Sequence, residues 1–206
     1  MITSHTLATS PTYWCDTLPV LSGRMVKLRE LEMHDAPSLF SMINTPEVAR
    51  FISRPPTTLE GFERFIGWTR EERRCGRYMC FGIVPHGMDT AVGLIHIRRL
   101  EPGFGTAEWG FALGSPFWGT GVFVESAELL IDFAFDAVGV NRLEARVAVP
   151  NLRASAALRK VGAVKEAVLR KSFLCQGEQI DQTLWSILDS DRRERTVESR
   201  RKSYVH

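Results

Sequence analysis

Residues 115–130 read SPFWGTGVFVESAELL, and they place Gly119 and Gly121 one residue apart directly ahead of a helical run. A loop that enters a helix presents unpaired backbone N–H groups and the positive end of the helix dipole. Glycines let the main chain approach an anion because no Cβ stands in the way. The stretch therefore predicts either a phosphate-binding turn or a glycine turn needed only for its shape.

Three kinds of phosphate loop fit a glycine pair at a helix start. A P-loop requires Lys and then Ser or Thr after the second glycine, and Val122 follows Gly121 instead. A dinucleotide fingerprint requires a third glycine, and Val124 stands at that position. The remaining kind is a diphosphate held by backbone amides alone, without a metal ion. The residues by themselves leave this interpretation and the plain tight turn open.

The segments around the loop predict an α/β domain. A strand near Val26, a short helix over 36–44 and a longer helix from Thr57 or Thr58 to Gly76 come first. Three strand-like runs then predict an antiparallel meander. After the helix that follows the loop, a strand, a short helix and a two-strand hairpin complete the chain. The strand runs are YMCFGIV (78–84), AVGLIHIRRL (91–100), TAEWGFAL (106–113), RLEARVAV (142–149), AVKEAVLRKSFL (163–174) and DQTLWSIL (181–188).

Composition narrows the class of protein. The chain has 206 residues, 44% hydrophobic residues, 24% charged residues and a formal net charge of +2. This size suits one domain, and the small, mixed charge predicts neither a nucleic-acid nor a membrane partner. There is no apolar run of the roughly 20 residues that span a membrane and no secretory signal, so we expect a cytoplasmic protein. The four cysteines and five histidines are scattered, and we expect no metal site.

The chain divides into three parts. Residues 1–22 show no periodicity and are interpreted as an N-terminal arm. Residues 23–188 hold all the predicted elements of one domain. Residues 189–206 are a mixed-charge run that we interpret as a C-terminal tail.

Four segments together resemble the GNAT superfamily of acetyl-CoA-dependent N-acetyltransferases, in the branch of the Rim-type ribosomal-protein N-terminal acetyltransferases. They are AEWGFALGSPFWGTGVFVESAELLIDFAF, GVNRLEARVAVPNLRASAALRKVGAVKEAVLRKSFL, DQTLWSIL and the entry segment LSGRMVKLREL. The resemblance covers about 21–188 and keeps the order and spacing of the motifs. It implies a GNAT-like α/β (α+β) domain, with a mixed sheet of about six to seven strands, about four helices, and a strand pair splayed at the acetyl-CoA site.

The resemblance also implies which residues hold coenzyme A. Its [QR]xxGx[GA] signature falls on 118–123, where Phe123 replaces the small final residue and must point into the core. The backbone of 111–113 would pair with the pantetheine arm, and the loop amides of 118–122 would hold the phosphates. Asn151 would contact coenzyme A, or cap the helix that it opens. The implied cofactor-binding residues are Phe111, Ala112, Leu113, Trp118, Gly119, Thr120, Gly121, Val122 and Asn151.

Two residues are candidates for proton transfer. Glu108, in the strand that leads to the loop, is the candidate general base acting through water, or it forms a cross-strand ion pair with Arg98 or Arg99. Ser155 is the candidate proton donor to the thiolate, although the branch often has its serine one residue earlier, where Ala154 stands. One residue along a helix turns by about 100°, so Ser155 faces a different direction.

The resemblance implies that the acceptor is a primary amine. We expect the amine of a protein N-terminus, with a small-molecule amine or a non-catalytic acyl-CoA-binding module as alternatives. The aromatic residues Phe51, Trp68, Trp109, Phe173 and Trp185 are either walls of the acceptor site or core. The resemblance is compatible with a homodimer.

Overall fold

The computed structural model describes residues 13–52, 55–175 and 177–192. Its centre is one eight-stranded sheet in the order β1-β2-β3-β4-β5-β6-β8-β7. Every neighbouring pair is antiparallel except β5 and β6, which are parallel. The strands are β1 (Leu21–Ser22), β2 (Val26–Glu30), β3 (Tyr78–Pro85), β4 (Gly93–Arg99), β5 (Thr106–Leu113), β6 (Arg142–Ala148), β7 (Val164–Cys175) and β8 (Glu178–Leu188).

Helices cover the two faces of this sheet. They are α1 (Ala36–Ile43), α2 (Pro46–Ala49), α3 (Leu59–Arg74), α4 (Val122–Asp132) and α5 (Leu152–Lys160). A π-helical turn over Phe133–Val138 extends α4, and Gly139 ends it in the left-handed conformation at φ 81°. The predicted fold class is confirmed, where about six to seven strands and about four helices were expected. The described residues contain eight strands, these five α-helices and a further helical run at 189–192.

Side-chain alternation divides the core between the two faces. Met79, Ile95 and Trp109 point to the face covered by α4 and belong to the larger buried cluster. Residues one position away, such as Cys80 and Leu94, point to the face covered by α1 and α3 and join a second cluster. This is the two-residue period expected of strands buried on both faces.

A buried ion pair connects β2 to the start of α1. The Asp35 carboxylate is completely buried and accepts two hydrogen bonds from the Arg29 guanidinium, at 2.7 and 2.9 Å. It also accepts the backbone N–H groups of Glu32 and Ala91. Burial alone would raise the pKa of Asp35, but these donors outweigh it and hold that pKa below its usual value.

The described part of the predicted arm is packed rather than loose. Trp14 and Leu18 are buried in the larger cluster, and Trp14 makes an edge-to-face contact with Phe104. Leu21 and Ser22 form β1. Residues 1–12 of the arm and residues 193–206 of the predicted tail lie outside the described residues.

Candidate active site

β5 and β6 run side by side for only three residue pairs and then separate. Thr106, Ala107 and Glu108 pair with 142–144, and the pairing ends there. β5 continues to Leu113, so residues 109–113 have no strand beside them on that side. The result is a V-shaped gap that opens toward the carboxyl ends of two parallel strands. Both α4 and α5 begin at the open end of this V.

The β5 side of the gap presents backbone groups without a partner. The Gly114 N–H donates to the carbonyl of Val92, the residue directly before β4, at 3.0 Å. Successive residues of a strand direct their backbone groups to alternate sides. Ala112 therefore faces β4, whereas Phe111 and Leu113 face the gap. The Leu113 carbonyl accepts the Trp118 indole N–H at 2.9 Å. The Leu113 N–H and both backbone groups of Phe111 remain as a free strand edge within the described chain.

The glycine pair adopts a backbone conformation that other residues rarely take. Gly119 has φ 77° and Gly121 has φ 94°, both in the left-handed region. A Cβ added at Gly119 would meet no described atom within 4 Å, whereas one at Gly121 would lie 2.9 Å from Cε of Met25. The open space beside Gly119 is therefore where a ligand can approach the main chain.

The loop supplies several hydrogen-bond donors that no described residue uses. The first backbone bond of α4 runs from the Glu125 N–H to the Gly121 carbonyl at 3.1 Å, and no side chain caps the helix. Within 119–124, the N–H groups of Gly119, Thr120, Gly121, Phe123 and Val124 have no acceptor among the described residues. Donors converging at the positive end of a helix dipole form an anion site.

The side chain of Trp118, the first residue of the loop, contacts α5. Its indole N–H is bound to the end of β5, and the Arg153 guanidinium of α5 stacks over its ring with Cζ 3.6 Å from the ring centroid. The pair thus connects the two helices that begin at the open end of the V. It also places a positive charge beside a loop that has no basic residue between 115 and 123.

Phe123 points into the core, as its size required. It packs against the larger cluster, with its ring centroid 4.3 Å from that of Phe111. The neighbouring Val122 is buried. Because the Phe123 ring lies against the sheet, its backbone N–H stays available at the first turn of α4.

Glu125 fixes the first turn of α4 to the start of the sheet. Its carboxylate accepts the backbone N–H groups of Arg24, Met25 and Val26 at 2.7, 2.7 and 3.0 Å. Burial alone would raise the pKa of Glu125, but the donors from Met25, Arg24 and Val26 outweigh it and lower that pKa.

α5 begins with a side-chain cap. Asn151 Oδ1 accepts the Ala154 N–H at 3.1 Å, which confirms the capping interpretation of Asn151. Ala154 packs on the larger cluster. Ser155, one residue further around the helix, is half-buried, and no described residue is hydrogen-bonded to its hydroxyl.

Glu108 lies where the two strands part, on the face opposite α4. Its carboxylate is 2.9 Å from Arg98 of β4 and 3.8 Å from Arg146 of β6. The cross-strand ion pair with Arg98 is therefore present. Beyond Glu108 on the same face of β5 come Gly110 and Ala112, so the strand there is bare of large side chains.

The other carboxylates on this face are also paired with arginine. Arg142 contacts Glu144 at 2.8 Å and Glu166 at 2.5 Å. Hydrogen bonds from Arg142 and then Ser186 lower the pKa of Glu166 to about 2. This face of β6, β8 and β7 therefore carries carboxylates that are held by partners.

A family comparison connects this geometry with known proteins. The family model described as the acetyltransferase (GNAT) domain matches residues 26–164 of the sequence. This range contains the V-shaped gap, the glycine loop and α5. The chain belongs to the GNAT acetyltransferase family. The Rim-type resemblance is confirmed as well, because ribosomal-protein acetyltransferases occur among its relatives.

Relatives of this GNAT protein match most of its length. The uncharacterized N-acetyltransferase p20 of Bacillus licheniformis is 29% identical over 172 residues, covering 83% of this chain and 97% of p20. RimJ of Mycobacterium smegmatis, solved with CoA-disulfide, is 24% identical with a TM-score of 0.75 over 84% of this chain and 85% of RimJ. The ribosomal-protein-S5-alanine acetyltransferase of Vibrio fischeri is 21% identical with a TM-score of 0.74, over 84% and 98%. These two structures establish the likeness of fold.

The predicted aromatic walls of the GNAT site separate into two groups. Trp109 and Trp185 are buried in the larger cluster and are core. Trp68 is 48% exposed, and Phe51 and Phe173 are half-buried. No group of three or more His, Cys, Asp or Glu side chains within the described ranges could hold a metal ion. No helix there has the length and hydropathy needed to cross a membrane.

No motif in the sequence points to His96 or Gly110. The two lie opposite each other in the β4–β5 register, two residues beyond the last β5–β6 pair. A histidine opposite a glycine in neighbouring strands would have pointed to this position, but the pair can be recognised only when the strand register is known.

Proposed function

We propose that this GNAT enzyme transfers an acetyl group from acetyl-CoA directly to a primary amine, and that the amine is a protein N-terminus. The observation that supports it best is the free edge of β5 inside the V, which leads to the unpaired N–H groups of the glycine loop. A thioester carrier matches both features, because its amide-containing arm can pair with the free strand edge and its diphosphate can bind the N–H groups of the loop.

Coenzyme A would lie along the V. The backbone of 111–113 would run beside the pantetheine arm as an added strand does, with the N–H and C=O of Phe111 bound to its amides. The diphosphate would be bound by the N–H groups around Gly119 and Gly121 and by the dipole of α4. The CoA-disulfide in the M. smegmatis RimJ structure supports a coenzyme A site in this fold.

The reaction needs a neutral amine, a polarised thioester carbonyl and a leaving thiolate. We propose that the Leu113 N–H donates to the thioester oxygen as charge develops there. The thiolate of a thiol with a pKa of about 8.5 is a fair leaving group, and Ser155 would protonate this thiolate. Glu108 lies at the point where the strands part and is the carboxylate that the resemblance assigns to the reaction centre.

The pairing of the carboxylates supports a single amine rather than a polycation. Each of Glu108, Glu144 and Glu166 is bound to arginine, so none is free to bind a multiply charged acceptor. An α-amino group has a pKa of about 7.7–8.0, against about 10.4 for lysine, and is more often neutral at neutral pH. The S5-alanine acetyltransferase of V. fischeri acts on a ribosomal protein and has this fold, which agrees with a protein acceptor.

A thiol-release assay tests the proposal. Purified protein is given acetyl-CoA with peptide amides that begin with Ala, Ser, Thr or Met, and in parallel with free amino acids, an aminoglycoside and an N-acetyl-capped lysine peptide. We expect release of coenzyme A with at least one free-N-terminal peptide, and mass spectrometry should place the acetyl group on its α-amine.

The other outcomes are distinct. Turnover only with the small amines would assign the enzyme a small-molecule acceptor. Binding of acetyl-CoA in calorimetry without turnover on any acceptor would indicate a non-catalytic acyl-CoA-binding module. N-acetylation of the same peptide beforehand is the matched control, because it removes only the reacting amine.

A further inference from the structure

His96 lies beside the second open position of β5 in the V. It pairs with Gly110 in the β4–β5 register, and β5 loses its β6 partner after Glu108. A Cβ added at Gly110 would lie 2.8 Å from Cε1 and 3.0 Å from Nε2 of the His96 ring. The imidazole thus occupies the space above Gly110, on the face of β5 opposite α4.

The ring nitrogens of His96 have no protein partner in the described chain. Nδ1 is buried without a hydrogen bond. An unsatisfied buried polar group costs about 1–3 kcal/mol, and histidines that serve only packing are usually hydrogen-bonded. Tyr78 lies against the ring at a centroid distance of 4.9 Å, which holds its plane in place. The ring is therefore positioned by packing, with its nitrogens left for another purpose.

The surroundings of His96 keep the ring neutral. Tyr78 and Cys80 of β3, Arg98 of its own strand and Glu108 of β5 are the titratable or charged groups around it. Burial, and then the charge of Arg98, lower the pKa of His96 to about 4. Arg98 is at the same time bound to Glu108 at 2.9 Å. The lone pair of the imidazole is thus available at neutral pH, whereas the Glu108 carboxylate is shared with arginines.

We propose that His96, rather than Glu108, accepts the proton from the attacking amine. The inference rests on the proposed acetyltransferase function and names a further catalytic residue for it. Nε2, on the ring edge that lies over Gly110, is the nitrogen that faces the reaction. Glu108 then acts as a positioning residue, which holds Arg98 and Arg146 away from the imidazole and the acceptor.

The step is balanced without any further reactant. The amine nitrogen forms a bond to the thioester carbon, and one of its protons moves to Nε2 of His96. The carbon–sulfur bond breaks, and the proton on His96 passes to the thiolate, either directly or through the Ser155 hydroxyl, which gives up its own proton as it takes the one from His96. The products are the N-acetyl amide and coenzyme A, and His96 returns to its neutral form. An imidazolium of low pKa releases its proton readily, which suits this return.

The test compares His96→Phe, His96→Gln and Glu108→Gln with an Ala-initiated peptide amide that the wild type acetylates. Phenylalanine keeps the contact with Tyr78 but has no nitrogen. We expect kcat to fall by about 10²-fold or more in both His96 variants, the range of a lost general base. We expect a smaller loss in Glu108→Gln and unchanged acetyl-CoA binding in all three by calorimetry, which also shows that they fold. His86→Gln, an exposed histidine bound to the Gly23 carbonyl, is the matched control.

A rescue experiment separates catalysis from packing. Added imidazole should restore part of the rate to His96→Ala and none to Glu108→Gln. Full activity in His96→Phe, or a larger loss of kcat in Glu108→Gln than in His96→Phe, would overturn the inference while leaving the acetyltransferase function intact. A wild type that acetylates no acceptor would overturn the proposed function and this inference together.

Discussion

Helices α3 and α4 begin in opposite ways. At α3, Thr58 takes an extended conformation and its hydroxyl accepts the Gly61 N–H at 3.0 Å, so the chain satisfies its own donor. At α4, Gly121 takes the left-handed conformation and no side chain caps the helix. Orphan donors at a helix start are normally bound by a cap, by water or by a ligand.

The difference separates a structural helix start from a binding one. α3 covers the sheet and needs only stability, and α5 is capped by Asn151 in the same way. α4 begins at the open end of the V, where an added cap would occupy the place of a phosphate. The uncapped start of α4 is thus consistent with selection for a ligand at the expense of local stability.

The largest effect is expected from Gly119→Val. Its side chain would enter the open space beside the loop and keep a diphosphate from the backbone donors. Two charge-assisted hydrogen bonds are worth about 1.5–3 kcal/mol each, so their loss weakens acetyl-CoA binding by roughly 10²–10⁴-fold. Calorimetric titration with acetyl-CoA measures the change in Kd.

Gly87→Val is the matched control for this substitution. Gly87 has φ 85° and also has open space around its Cβ position, but it lies in the turn between β3 and β4. Both variants should lose about 1–2 kcal/mol of stability from the left-handed backbone. Equal acetyl-CoA affinities in the two variants would mean that the space beside Gly119 is not the ligand site.

An intermediate effect is expected from Glu125→Gln. The variant loses the charge that accepts the N–H groups of Arg24, Met25 and Val26, at a cost of about 1–3 kcal/mol in the free energy of unfolding. Since the folded-state pKa of Glu125 lies below its ordinary value of 4.5, its stabilisation is fully present above pH 4.5. It is lost as the pH falls through the lowered folded-state value. Urea unfolding of wild type and variant across this acid range measures the difference.

Glu128→Gln serves as the comparison on the same helix, because Glu128 is exposed. It should leave the pH dependence of unfolding as it is in the wild type. If Glu125→Gln shows the same acid dependence as the wild type, the contact between α4 and the β1–β2 turn does not contribute as described.

The smallest effects are expected at the two capped helices. Thr58→Ala and Asn151→Ala should each lower stability by about 1 kcal/mol, the usual value of a cap. We propose that Asn151 also contacts coenzyme A, so only Asn151→Ala should weaken acetyl-CoA binding, by roughly 2–10-fold for one hydrogen bond. Thermal unfolding and calorimetry together measure both quantities. Unchanged affinity in Asn151→Ala would show that the residue is a cap alone.

Features that depend on neighbouring residues could be predicted from the sequence. The Thr58 cap, the left-handed Gly139 and the parallel direction of β5 and β6 follow from local rules and from the handedness of a β-α-β unit. The inward direction of Phe123 followed from its volume, because a ring on the ligand side would crowd a bound diphosphate, and its ring does pack against Phe111.

Features that depend on register or on distant contacts could not be predicted. The residue at which β5 and β6 part is set by the packing of whole strands. The sequence therefore placed Glu108 near the site but could not decide whether Arg98 or Arg99 is its partner. The position of His96 over Gly110 needs the β4–β5 register. The stacking of Arg153 on Trp118 joins two elements that are far apart in the sequence.

The most direct test of the central claim follows the backbone amides by NMR during titration with acetyl-CoA. The account predicts the largest shift changes at the N–H groups of Gly119, Thr120, Gly121, Phe123 and Val124, with smaller ones at Phe111 and Leu113. S-acetylcysteamine, which has the thioester but no diphosphate, should leave the loop amides unchanged. Saturable acetyl-CoA binding that leaves these loop amides unshifted, or the absence of any binding, would contradict the account.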